Sequence, residues 1–144
     1  MSIYGPSRSP WTSRMLSIMR IVIGAMFITF GTMKLLGFPA PPGGQPMPPI
    51  PVLSQTWIAG VLELVGGLLI TLGFLTRPTA FILAGEMAVA YFQFHQPKAL
   101  FPVTNEGIPA VLYCFIFLYL IFAGGGEWSV DTLIARSRGE RIDR

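Results

Sequence analysis

The chain has 144 residues, of which 52% are hydrophobic and only 12% charged, about half the usual charged share of roughly 25%. So little charge cannot cover a soluble exterior, and a mean hydropathy of +0.60 points to bilayer lipid as the solvent for most of the surface. The net charge of +3 comes from basic residues gathered toward the two ends, which fits a membrane topology signal and argues against nucleic acid as a partner.

Residues 1–16 read as an N-terminal tail. Positions 1–11 hold no apolar run ending in a small-residue cleavage site, so no removable signal peptide is expected. Four apolar segments follow, near 17–36, 56–75, 79–96 and 108–123. Each is close to the roughly 20 residues that a bilayer requires. They predict an all-α fold, a four-transmembrane-helix bundle occupying 17–126. Between the first two lies 37–55, with Pro39, Pro41, Pro42, Pro46, Pro48, Pro49 and Pro51. Prolines at this density remove backbone donors and forbid helix, so an extended, semi-rigid outer loop is expected. Thr76-Arg77-Pro78 leaves almost no linker, which makes helices two and three an antiparallel hairpin. Pro78 suits the first turn of helix three. Residues 97–106 form a second outer loop, Gly124-Gly125-Gly126 ends helix four, and 127–144 is a polar tail.

Orientation follows from Lys and Arg placement. Arg8, Arg14, Arg20, Arg77, Arg136, Arg138, Arg141 and Arg144 fall on one side, and Lys34 and Lys98 on the other. This puts both termini and the Arg77 turn in the cytoplasm, with the proline-rich loop outside. The expected location is the cell (inner) membrane, crossed several times.

Ionisable residues inside a membrane are costly and need a reason. At 100° per residue, Arg20, Gly24, Phe27, Gly31 and Lys34 lie within about 40° of one line. Glu63, Gly66, Gly67, Ile70, Phe74 and Arg77 do the same in helix two. Each stripe is about 21 Å long, charged at both ends and glycine-rich between. Run antiparallel, Lys34 meets Glu63 near the outer side and Arg20 lies near Arg77 on the inner side. Gly24, Gly31, Gly66 and Gly67 then allow close helix packing. Two arginines at one end call for an anion, from Glu86 or from Glu127 and Asp131.

Two readings stand side by side. In one the charges are structural: Lys34–Glu63 is an interhelical bridge, and Arg20 and Arg77 are interfacial anchors that snorkel. In the other, Glu63 and Glu86 belong to a polar cavity that holds a ligand or relays protons. His95 is the sole histidine. Tyr91 shares its face and Glu86 points roughly the opposite way. His95 is either an interfacial cap or a hydrogen-bond donor to a quinone-type carbonyl. One histidine and one cysteine, Cys114, leave no metal or haem coordination set. Met15, Met19, Met26, Met33 and Met87 read as packing. Trp11, Trp57 and Trp128 fit an interfacial belt. No phosphate loop, catalytic triad or nucleophile elbow is found.

Four passages resemble the DoxX family of small four-helix membrane proteins. They are "RIVIGAMFITFGTMK" (20–34), "ELVGGLLITLGFLTR" (63–77) followed by Pro78 and Ala80, "MAVAYFQFH" (87–95), and 105–131, opened by "NEG" and closed by "GGGEWSVD". The resemblance spans nearly all of 17–133. It implies Lys34, Glu63, Arg77 and His95 as family-like positions. It also implies kinship with subunits of thiosulfate:quinone oxidoreductases and with proteins that join redox-defence partners at the membrane. The long proline-rich loop departs from the family pattern, so partner identity does not carry over.

Function is expected in this order. First comes an accessory or structural subunit of a larger bioenergetic or redox membrane complex, without catalysis of its own, among other integral membrane subunits. Second comes a quinone-linked oxidoreductase subunit with its own pocket, holding quinone or bound lipid. A carrier ranks third, because no repeat relates the two halves.

Overall fold

The computed structural model describes residues 10–41, 43–45 and 48–139. Arg8, Arg141 and Arg144, used above for orientation, lie outside the described residues, as do Pro42 and Pro46. The described residues contain five α-helices and no strand.

Helix α1 runs Pro10–Leu36. It starts well before residue 17, so part of the expected tail is helical. Apolarity marks the bilayer-length stretch, whereas the helix itself opens at a proline, a residue suited to a first helical position. Helix α2 spans Gln55–Leu72. Ser54 caps it, its Oγ accepting from the Trp57 N–H at 3.2 Å. The helix stops earlier than the expected 75 because Gly73 turns left-handed at φ 69°. The Gly73 N–H returns to the Ile70 carbonyl at 3.1 Å, and that of Phe74 to Leu69 at 3.0 Å.

Helix α3 begins at Thr76 and runs to Ala90, so the linker is 73–75 and Arg77 and Pro78 lie inside the first turn. Residues Tyr91–His95 continue as a π-helical turn, closed by the Gln96 N–H on the Tyr91 carbonyl at 2.9 Å. Helix α4 spans Ile108–Ala123. The stretch read as a polar tail contains a fifth helix, α5, at Val130–Ser137. Ser129 nucleates it, with its Oγ accepting from the Thr132 N–H at 3.2 Å.

Helix α1 lies along α2 and α3 along α4. The α1–α2 contact is made by glycines. A methyl at Gly31 would sit 2.5 Å from the Leu64 nitrogen, and one at Gly67 would sit 2.7 Å from the Ile28 nitrogen. Gly66 faces the other way, onto Leu83 of α3. Phe27 sits at the centre, fully buried, edge-on to Phe117 at 4.7 Å and to Tyr113 at 5.0 Å.

The distribution of polarity is inverted relative to a soluble protein. Arg20, Glu63, Ser17, Thr76, Asn105 and Ser129 are buried, while Phe81, Phe115 and Phe122 are exposed, the last at 80%. An apolar exterior around a polar interior matches lipid as solvent. Trp11–Leu36 and Gln55–Leu72 are long and apolar enough to cross a membrane, and Ile108–Ala123 is a shorter apolar helix.

Candidate functional site

Two polar clusters occupy the interior, one at each end of the bundle. At the end that holds the α2–α3 turn, Arg20 is fully buried. It does not snorkel, and among the described residues no carboxylate bonds it directly. Its Nε donates to the Gly125 carbonyl at 2.7 Å and Nη2 to that of Trp128 at 2.7 Å. Nη1 donates to the carbonyls of Ile70 and Thr71. The last turn of α2 leaves carbonyls without helical partners, and a cation suits that end of the dipole. Asp131 completes the cluster by accepting from the Leu75 and Thr76 N–H groups at 2.8 and 2.9 Å. It thereby caps α3 and holds a negative charge near Arg20. Glu127 pairs with Arg14 at 3.3 Å. Arg77 is exposed. The buried charged groups of this end are paired within the fold, and Thr76 Oγ1 is buried there without a partner among the described residues.

The opposite end is different. Lys34 Nζ lies 2.6 Å from Glu63 Oε1. Glu63 is 3% exposed, and its Oε2 is buried with no partner among the described residues. Both residues line a cavity of about 200 Å³ together with His95. The remaining walls are Phe27 and Phe30 from α1, Met87 and Ala90 from α3, and Pro109, Ala110 and Tyr113 from α4. Apolar and aromatic walls with a few convergent polar groups are the usual make-up of a ligand site.

His95 is held from behind. Its Nδ1 lies 3.0 Å from the Asn105 carbonyl oxygen. A carbonyl only accepts, so Nδ1 carries the proton. Tyr91 stacks on the ring, with centroids 6.5 Å apart and an interplanar angle of 21°. Asn105 is itself buried and pinned. Its Nδ2 donates to the Ala99 carbonyl at 2.9 Å, and its Oδ1 accepts from the Gly107 N–H at 2.8 Å. The π-turn that carries Tyr91 and His95 is a feature often found beside functional sites.

Glu86 does not approach the arginine end. The Gly66–Leu83 contact sets the α2–α3 register, and one turn further it brings Glu63 level with Glu86. Both Glu86 oxygens are buried without a partner among the described residues, within electrostatic reach of Glu63 and Lys34. Glu86 does not line the cavity, and Tyr91 touches it only through His95. Tyr113 and Asn105 were not singled out from sequence. A tyrosine inside an apolar helix, and an Asn-x-Gly turn before one, were the available signals. A larger groove of about 480 Å³ lies against α3 and α4, lined by Phe81, Ile82, Ala84, Gly85, Ala88, Cys114 and Leu118. It offers no ionisable group beyond a lone thiol and faces outward, as a lipid-contact surface does.

Among the described residues no group of three or more His, Cys, Asp or Glu side chains could hold a metal. An all-helical chain with apolar exterior and charged interior defines a small helical membrane protein. The DoxX family profile matches residues 15–96, and the chain belongs to that family. An uncharacterized protein of Haemophilus influenzae is 44% identical over 121 residues, covering 81% of this chain and 88% of that protein. The inner membrane protein YqjF of Escherichia coli K12 is 31% identical over 123 residues, covering 81% of this chain and 89% of its own length. No solved structure matches the chain.

Proposed function

We propose that this DoxX-family protein is a membrane subunit that holds a quinone-class ring in the Lys34–Glu63–His95 cavity and manages its protons, while a partner redox subunit supplies or accepts the electrons. One observation carries the reading: Glu63 is buried, faces an aromatic-walled cavity, and keeps one carboxylate oxygen without a protein partner. A buried carboxylate oxygen is expensive to leave unmatched. Purely structural pairing with Lys34 accounts for Oε1 alone. The volume of about 200 Å³ is below the range of roughly 300–1,000 Å³ for drug-sized ligands. It suits one ring, with any lipophilic tail left in the bilayer.

The reading includes the setting. Helices α1 to α4 each cross the bilayer, with both termini and the Arg77 turn cytoplasmic and the loop 37–55 outside. Exposed Arg77, Arg136 and Arg138 at one end support this polarity, as does kinship with a protein named as an inner membrane protein. Single cysteines placed at either end on a Cys114→Ser background, probed with an impermeant thiol reagent in intact cells, test the topology. Labelling of the 130–137 segment from outside would reverse it.

The binding test uses purified protein in nanodiscs titrated with a short-chain ubiquinone and its quinol. Saturable binding, weakened at least about tenfold by Glu63→Gln together with His95→Ala, is the expected result. Absence of binding of either form, or binding unmoved by both substitutions, sinks the proposal.

A further inference from the structure

Resting on the reading above, we infer that the cavity selects the hydroxyl-bearing, reduced form of its ring ligand, a hydroquinone, over the corresponding quinone. The argument is a count of donors and acceptors facing one space. Glu63 is the counter-ion of Lys34 at 2.6 Å, and a carboxylate is acceptor-only. Its Oε2 has no protein donor. His95 uses Nδ1 as a donor to the Asn105 carbonyl at 3.0 Å. In the neutral ring the second nitrogen, Nε2, is then a lone-pair acceptor. Both residues line the cavity. The sequence reading of His95 as a donor to a quinone carbonyl is therefore reversed: the donor edge is already taken by the backbone.

Tyr113, whose hydroxyl donates to Met26 Sδ at 3.6 Å, and Lys34 are the remaining polar residues on the wall. The Lys34 ammonium has three donors, of which one goes to Glu63. With the Tyr113 hydrogen directed to Met26, the cavity offers acceptors from Glu63, His95 and the Tyr113 oxygen beside a cation. A quinone carbonyl can only accept, so it matches Lys34 and leaves Glu63 Oε2 and His95 Nε2 opposite a group that repels them. A phenolic hydroxyl donates its hydrogen to one of those acceptors while its oxygen accepts from Lys34. It satisfies both kinds of group at once. A buried acceptor left unmatched is the costly outcome, so the hydroxyl form is favoured. The network behind His95 makes this durable. Asn105 is 1% exposed, tied to Ala99 and Gly107, and cannot turn its carbonyl away without breaking the loop that opens α4.

The experiment compares three ligands on the full chain in nanodiscs at pH 8. They are a short-chain hydroquinone kept reduced under argon with ascorbate, its quinone, and its dimethyl ether, which keeps shape but loses the donors. The hydroquinone is expected to bind at least about tenfold tighter than either of the others, and Glu63→Gln is expected to shrink that preference to within about threefold. A quinone or dimethyl ether that binds as tightly overturns the inference while leaving ring binding intact. Failure of all three overturns the ring-binding reading itself. A second readout needs neither ligand nor variant. Since His95 is the sole histidine, 15N labelling of histidine gives one imidazole spectrum. A proton on Nδ1 and a bare Nε2 is the expected pattern, and a proton on Nε2 overturns the proposal.

Discussion

Arg20 Nε lies 2.7 Å from the carbonyl oxygen of Gly125, across 105 residues of sequence. Through this contact and its three companions, one side chain of α1 holds the end of α2 and the loop after α4 together. Removing it takes this donor from the carbonyls of Thr71, Gly125 and Trp128 in a space that water enters poorly, while Ile70 keeps the Gly73 N–H. Each unsatisfied group costs roughly 1–3 kcal/mol. Arg20→Met is therefore expected to destabilise the protein by on the order of 3 kcal/mol or more. Arg20→Lys should recover little, because an ammonium lacks the planar fork that reaches both sides. Thermal unfolding in mild detergent checks this. A variant as stable as the parent would show that the carbonyls find other donors.

Asp131 acts on the same junction from α5. Its carboxylate takes the Leu75 and Thr76 N–H groups, where α3 has no cap of its own. Loss of such a cap typically costs about 1 kcal/mol. Asp131→Ala should lower stability by about that much and free α5 from the bundle. Limited proteolysis after residue 126 should then quicken severalfold, while Asp131→Asn, which keeps an acceptor oxygen, stays nearer the parent. Unchanged cleavage would mean that α5 is held by other contacts.

Composition and apolar run length made the helices and their order legible, because both reflect the solvent directly. The Lys34–Glu63 contact and the packing of Gly24, Gly31 and Gly67 were legible too, since 100° periodicity holds along straight helices. What was hidden depends on local winding and on backbone groups. Periodicity cannot place His95 across the π-turn at 91–95, nor show that the partner of Arg20 is a set of carbonyls. It also gave Gly66 to the same interface as Gly67, whereas adjacent residues on a helix point 100° apart and Gly66 meets α3. Helix α5 carried a readable sign, a serine before Val-Asp-Thr. A short polar helix of eight residues leaves almost no apolar pattern to confirm it.

The glycine contacts give a paired prediction. A methyl at Gly31 would fall 2.5 Å from the Leu64 nitrogen, which is backbone and cannot step aside. One at Gly85 meets nothing within 4 Å. Gly31→Ala should destabilise by about 1–3 kcal/mol through forced separation of α1 and α2. Gly85→Ala should be neutral or stabilising by up to about 1 kcal/mol, through helix propensity alone. Equal effects at the two sites, measured by thermal unfolding side by side, would contradict the close approach of α1 and α2.

The Lys34–Glu63 pair yields the sharpest contrast, because the two residues are unequally buried. Glu63 is almost wholly enclosed, while about a quarter of the Lys34 side chain is exposed, at 27%. Removing only Lys34 strands a buried carboxylate. Breaking one half of a buried pair costs roughly 3–5 kcal/mol, and the partial exposure of Lys34 puts Lys34→Met at the lower end, about 3 kcal/mol. Replacing both residues by apolar ones removes the charge along with its partner, and such double replacements are often near neutral. Lys34→Met/Glu63→Leu should therefore be more stable than Lys34→Met alone, and should bind neither ring form. A stable double variant without binding separates the two roles: the pair would then serve the ligand more than the fold. A double variant less stable than either single one would make the ion pair a structural necessity, and the binding reading would lose its main support.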